Sequence, residues 1–267
     1  MSKKSIPILT LTMFRLTKRR KFILSSFVLA FGLLAIQIGW ITDRYLEIAI
    51  LSFLSIPLVL WSAKETLQGP IWIVSWILPS LFTVGVGLFY FLLPSSYVVT
   101  VPVIVIYFFG MYALLLSGNI FSVAAVRTIQ LFRSASAVNF LLTLLTGFLL
   151  YDTVLSFKLP FYLNASLVFL ISFLLFLGPV WSINLKNKLD SQIVFYTLIP
   201  SLGIGEMAII ISFLPASITM GSLFLTSLIY VSLGLIQANL SGRLFEKTVK
   251  EYLIAGFFVL IIFVNLN

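Results

Sequence analysis

The stretch Ile71–Leu93, IWIVSWILPSLFTVGVGLFYFLL, runs for 23 residues without one charged side chain. At 1.5 Å of rise per residue, a helix of that length reaches about 35 Å, enough to cross a hydrocarbon core about 30 Å thick. Pro79, Gly85 and Gly87 punctuate the run but do not make it polar. Working outward from it, eight more segments read the same way: Phe22–Ile41, Leu46–Trp61, Tyr97–Leu116, Val138–Phe157, Leu163–Trp181, Ile193–Leu214, Ile218–Leu240 and Tyr252–Leu266. The second is short, with Glu47 and Lys64 at its ends, whose stems can reach the membrane interface. The sequence therefore predicts an all-α integral membrane protein with about nine transmembrane helices.

Composition agrees. The chain is 61% hydrophobic and 9% charged, against about half and about a quarter in soluble domains. So few charges could not cover a soluble fold, whereas lipid is itself apolar. There is no Cys and no His, which removes disulfides, thiolate nucleophiles, the usual zinc and haem ligands and the commonest general base. No cofactor and no metal is expected. A net charge of +9 in a soluble protein would suggest nucleic acid. Here the positive residues flank apolar spans, so no nucleic-acid partner is expected.

Those charges orient the chain. With the N-terminus in the cytoplasm, Arg44 and Lys158 fall outside and the other 15 of the 17 Lys and Arg fall inside. Positive residues favour the cytoplasmic side, and a wrong helix count would scramble the split. The expected topology is N-terminus in and C-terminus out, in a cell (inner) membrane. The basic start followed by an apolar run resembles a secretory signal. The run is long and no small-x-small cleavage site follows it, so it reads as an anchor that remains as the first helix. The outer turns Pro94-Ser95-Ser96 and Pro215-Ala216-Ser217 are tight.

The chain also repeats itself. Trp61-Ser62 recurs as Trp181-Ser182, Leu78-Pro79-Ser80-Leu81 as Ile199-Pro200-Ser201-Leu202, Leu93-Pro94 as Leu214-Pro215, Asn119 as Asn239, and Arg127-Thr128-Ile129 as Lys247-Thr248-Val249. Every pair is 120 or 121 residues apart (181 − 61 = 120; 200 − 79 = 121). Four spans separate the copies, an even number, so both copies share one orientation and are related by an axis along the membrane normal. The expected organisation is a cytoplasmic basic amphipathic segment at 1–21, a first four-helix repeat at 22–134, a second at 135–251, and a ninth helix at 252–267 that opens a third copy. Basic stretches at Met13–Lys21, Ala124–Arg133 and Leu244–Tyr252 precede each copy. They read either as helices lying on an anionic lipid surface or as charged helix ends.

Polar residues within spans are few. Glu206, in Gly203-Ile204-Gly205-Glu206-Met207, is the one acid deep in a span. It costs roughly 3 kcal/mol on insertion. The twelve Leu, Ile, Val and Phe between Ile193 and Leu214 outweigh it at about −0.5 kcal/mol each. Its counterpart in the first copy is Gly85. Pro79, Gly85 and Gly87 interrupt span three, as Pro200, Gly203 and Gly205 interrupt span seven. Paired interruptions of this kind point to a transporter site, but Gly and Pro also kink or pack membrane helices without further role. If Glu206 is functional, it should line a polar cavity shared by spans three and seven, beside Gly85. If structural, it hydrogen-bonds across a helix interface. Asn119, Asn239 and Gln237 read as caps or interhelical hydrogen bonds. Asp43, Arg44, Glu47, Asp152 and Lys158 gather at the outer side, as a vestibule or, more simply, as solvated helix ends.

The stretches Asn119-Ile120-Phe121-Ser122-Val123, Arg127-Thr128-Ile129-Gln130-Leu131 and Gly242-Arg243-Leu244-Phe245 resemble an uncharacterised family of multi-pass membrane proteins from small-genome, candidate-phyla bacteria. The resemblance extends over spans three to nine. It implies a bacterial inner membrane and, the family having no assigned activity, nothing about chemistry.

Three functions compete. A non-catalytic membrane scaffold or assembly subunit, bound to lipid and to other membrane proteins, fits the scarcity of polar groups and the short loops. A small transporter or permease-like bundle with a site near Glu206 fits the repeat and the matched interruptions. A membrane enzyme acting on lipid-linked substrates fits poorly, because no cluster of Asp, Glu, His or Arg marks one face.

Overall fold

The computed structural model describes residues 17–38, 43–64, 71–94, 96–124, 130–185 and 190–265. Among them are nine helices: α1 (Lys18–Ile38), α2 (Arg44–Ala63), α3 (Ile71–Tyr90), α4 (Tyr97–Ala124), α5 (Phe132–Ser156), α6 (Phe161–Asn184), α7 (Ser191–Phe213), α8 (Ile218–Leu240) and α9 (Glu246–Asn265). Each is long and apolar enough to cross a membrane. The surface agrees: Phe53, Phe257 and Phe109 are all more than half exposed, a density of outward aromatics that water would not tolerate.

Two boundaries correct the sequence reading. Helix α2 starts at Arg44 and runs 20 residues, so it is not short. Its first turn is built from side chains that an apolar window discounts: the Arg44 guanidinium lies 5.6 Å from the centroid of the Phe91 ring, and Glu47 turns inward and is buried. Helix α9 starts at Glu246, absorbing most of the basic stretch Leu244–Tyr252. Lys18–Lys21 and Phe132–Arg133 likewise form the first turns of α1 and α5. Where the structure describes them, these stretches are charged helix ends. Residues 1–16 and 125–129, which include Arg15 and Arg127 of the first two stretches, lie outside the described residues, as do Lys186 and Lys188.

Helix ends follow local chemistry. Gly242 adopts φ +65°, and the N–H groups of Gly242 and Arg243 close back on the carbonyls of Asn239 and Ala238. This Schellman turn stops α8 and needs the left-handed conformation that glycine adopts freely. Ser217 caps the start of α8 by accepting the N–H of Met220.

In the bundle α1 packs on α2 and α4, α2 on α3, and α3 on α4. Further along, α5 packs on α6 and α8, α6 on α7, and α7 on α8. The two groups join where α5 lies against α3 and α4 and α6 lies against α3; α9 lies against α8. Buried hydroxyls are satisfied mostly within their own helices. Thr143 donates to the Asn139 carbonyl, Thr146 to Leu142 and Ser201 to Thr197. A few bonds cross between helices, including Thr83 with Tyr107 at 2.9 Å and Tyr151 with Ser172 at 2.7 Å. With these satisfied, an apolar interior carries its polar groups at little cost.

Candidate functional site

The structure does not bring the expected site residues together. Gly85 is buried, and a Cβ built on it would meet Leu150 Cγ at 3.3 Å and Leu149 Cβ at 3.4 Å. The space beside Gly85 is therefore filled by α5. Gly205 similarly receives Phe169 of α6, at 3.1 Å. Helix α7 packs on α6 and α8, whereas α3 packs on α2, α4, α5 and α6. Among the described residues α5, not a cavity shared with α7, lies beside Gly85, and the expectation of one there is corrected. These glycines are notches that let neighbouring helices approach.

Glu206 sits on the opposite side of α7 from the core. Ile204, Gly205 and Ala208 are buried, while Leu202, Glu206, Met207 and Ile210 are exposed. No hydrogen bond or ion pair joins Glu206 to another described residue. Seven residues separate it from the outer end of α7 at Phe213, about 10 Å at helical rise, which places it within the apolar thickness of the bundle. Gly203 on the same side has nothing within 4 Å of a built Cβ.

Pro79 lies inside α3 and lines a cavity of about 40 Å³ with Ser75, Asn139, Gly178 and Trp181. That volume suits water and excludes a solute of any size. Thr83 returns its hydroxyl to the Pro79 carbonyl at 2.9 Å. Pro200 is half-buried in α7. Asn139 was not singled out in the sequence, where a lone Asn among apolar residues carries no marker of its direction.

Larger openings lie at the two ends of the bundle. At the end expected to face the cytoplasm, a cleft of about 490 Å³ is lined by Arg133, Ser136, Gln237, Arg243 and Tyr252, among others. It joins residues more than a hundred positions apart, which spacing along the chain could not reveal. At the other end, Lys158, Asn164 and Ser217 line a cleft of about 360 Å³. Gln37, Tyr90, Ser96 and Thr100 line another of about 330 Å³. The outer acids do not form an open vestibule: Asp152 is buried and accepts the Ser222 hydroxyl at 3.0 Å. Glu47 is buried with Oε2 unpartnered among the described residues. Asn239 makes the expected interhelical bond, donating its side-chain amide to the Tyr196 hydroxyl at 2.9 Å, whereas Asn119 Oδ1 is buried without a described partner. Among the described residues no three carboxylates come together as a metal centre would need.

No curated protein and no solved structure matches the chain. A family profile does match, over residues 53–266. That is most of the sequence, from within α2 to the C-terminal end of α9. The chain belongs to the family described as Protein of unknown function (DUF5656).

Proposed function

We propose that this protein is a non-catalytic scaffold or assembly subunit of a bacterial inner membrane, with its N-terminus in the cytoplasm and its C-terminus outside. The observation that carries the reading is the placement of Glu206. The one deep acid faces out from an apolar helix surface, with Phe169 of α6 packed against the adjoining Gly205 behind it. An acid so placed costs roughly 3 kcal/mol to insert unless another transmembrane helix answers it. A transport site instead calls for a polar path through the bundle, and most interior hydroxyls here are turned back onto their own helices.

We read the bundle as two same-orientation four-helix repeats, α1–α4 and α5–α8, with α9 opening a third. What supports this is the shared neighbour pattern. Helices one, two, three and four of each copy touch in the same pairs, and α9 lies on α8 as α5 lies on α4, although α5 also packs on α3 while α9 does not so pack on α7. The two outer clefts share equivalent helix ends, those of α1, α3 and α4 and of α5, α7 and α8, and the second adds Phe161 and Asn164 of α6. The basic inner rim, including the cleft between Arg133 and Arg243, suits anionic lipid headgroups.

The absence of Cys makes the test direct. Thr146 and Ser201 are fully buried in α5 and α7. Thr146→Cys and Ser201→Cys are placed singly and treated with a membrane-impermeant maleimide from each side of sealed vesicles. The scaffold reading expects no modification from either side. Labelling of either position would reveal a water path and favour a small transporter.

A further inference from the structure

We propose that the Glu206 face of α7 is a self-association surface, through which two copies pair about a two-fold axis along the membrane normal. The proposal deepens the scaffold reading by naming the partner as a second copy of this chain.

The first observation is spacing. Phe195, Ile199, Leu202, Glu206, Ile209 and Phe213 fall at intervals of four, three, four, three and four residues. All are exposed except Ile209, which is half-buried. Together they form one stripe along the helix, with the four–three spacing along which a straight partner helix packs.

The second is the fate of the same seam in the other half. The Pro79 and Pro200 tetrapeptides set the register at 121 residues. The α3 equivalents of the first five seam positions are then Val74, Leu78, Leu81, Gly85 and Leu88. There the seam is covered: Gly85 receives Leu149 and Leu150 of α5, and Val74 lies 3.7 Å from a Cβ built on Gly178 of α6. By the same relation, helices standing where α5 and α6 stand would cover α7. Among the described helices α9 packs on α8, and the α7 seam positions stay exposed or half-buried. The α7 face thus has the shape of a helix-docking surface, left open.

The third is the polar group itself. Copies inserted the same way meet about an axis along the membrane normal, and a two-fold contact is made by one patch with itself. Glu206 then faces Glu206 of the other copy at equal depth. A carboxylic acid is both a hydrogen-bond donor and an acceptor, so the pair is self-complementary and needs no basic partner. A single polar residue in such a seam fixes its register. Gly203, one residue off the seam and open beyond its Cα, lets the second backbone come close.

Single cysteines at Ile199, Leu202, Ile209 and, as controls, Ile210 and Phe257 are oxidised in native membranes. The expected result is a disulfide dimer at the seam positions, weaker at Ile210 and absent at Phe257 on α9. In liposomes at falling protein-to-lipid ratio, Glu206→Gln keeps the dimer. Glu206→Leu weakens it by about 3- to 30-fold, as the loss of an interhelical hydrogen bond implies. Gly203→Phe, whose side chain projects into open space and leaves the monomer fold intact, abolishes it. A monomer at every ratio, cross-linking without the seam period, or adducts only to a different protein would each overturn self-association. The maleimide result on buried positions is independent: seam cross-linking with labelled interior cysteines would sink the scaffold reading alone.

Discussion

The residue that most attracts attention in the sequence is Glu206, and its depth is legible there while its direction is not. In a soluble helix a polar face marks the outside. In a membrane helix lipid and neighbouring helices are both apolar, so the sequence of α7 looks alike all round and only packing says which side meets α6. The same ambiguity governs glycine. Gly110 and Gly203 are indistinguishable as letters, yet a Cβ on Gly110 would lie 2.6 Å from Phe82 Cζ. That ring is fully buried and stacked on Tyr107 with centroids 5.6 Å apart. It cannot swing aside without disturbing the Tyr107–Thr83 hydrogen bond. Gly110→Ala is therefore expected to destabilise by about 1–3 kcal/mol, the usual cost of overpacking. Gly203→Ala, entering open space, is expected to be neutral or slightly stabilising. Thermal unfolding of the two variants in one detergent checks this, and equal melting temperatures would contradict the close packing at Gly110.

At the scale of the element, span existence was readable and span ends were not. Long uncharged runs leave few alternatives for a backbone that must satisfy its own hydrogen bonds in lipid. Ends depend on side chains that find a use only in three dimensions, as Arg44 does over Phe91. Helix α9 is the clearest case. Its first turn is held by an exposed Lys250–Glu246 pair, which contributes little. Its attachment rests on α8, through Tyr252 lying over Gly234 and Phe263 stacked on Phe224 at 4.8 Å. Only Phe263 of α9 is buried. A chain ending at residue 245 should therefore insert and remain folded through α8, with its melting temperature lowered by a few degrees at most. Size-exclusion profiles and thermal melts of the shortened chain test this. Aggregation would mean that α9 holds the second half together.

For the whole molecule, the sequence carried the helix number, while the association of the halves needed the structure, because an offset of 120 residues says that two segments are alike and not how they touch. The orientation in the membrane is carried by charge alone. With all nine helices crossing, 15 of the 17 Lys and Arg lie on one side. Setting aside the seven positives before the first span, the division is still 8 to 2, so the first helix is not its sole determinant. In the proposed orientation each inner loop carries its own positive residues, and their transfer across a bilayer would be opposed at every hairpin. Reporter domains fused after Lys64, Arg133, Lys188 and Lys250 should consequently report the cytoplasm, and fusions after Ser95 and Ala216 the outside. Because consecutive loops must alternate, one internal fusion on the wrong side would show that a neighbouring helix does not cross. The two arms also bear on the repeat. If the fusions after Lys64 and Lys188, which follow α2 and α6, reported opposite sides, the halves would be inverted and no axis along the membrane normal could relate them.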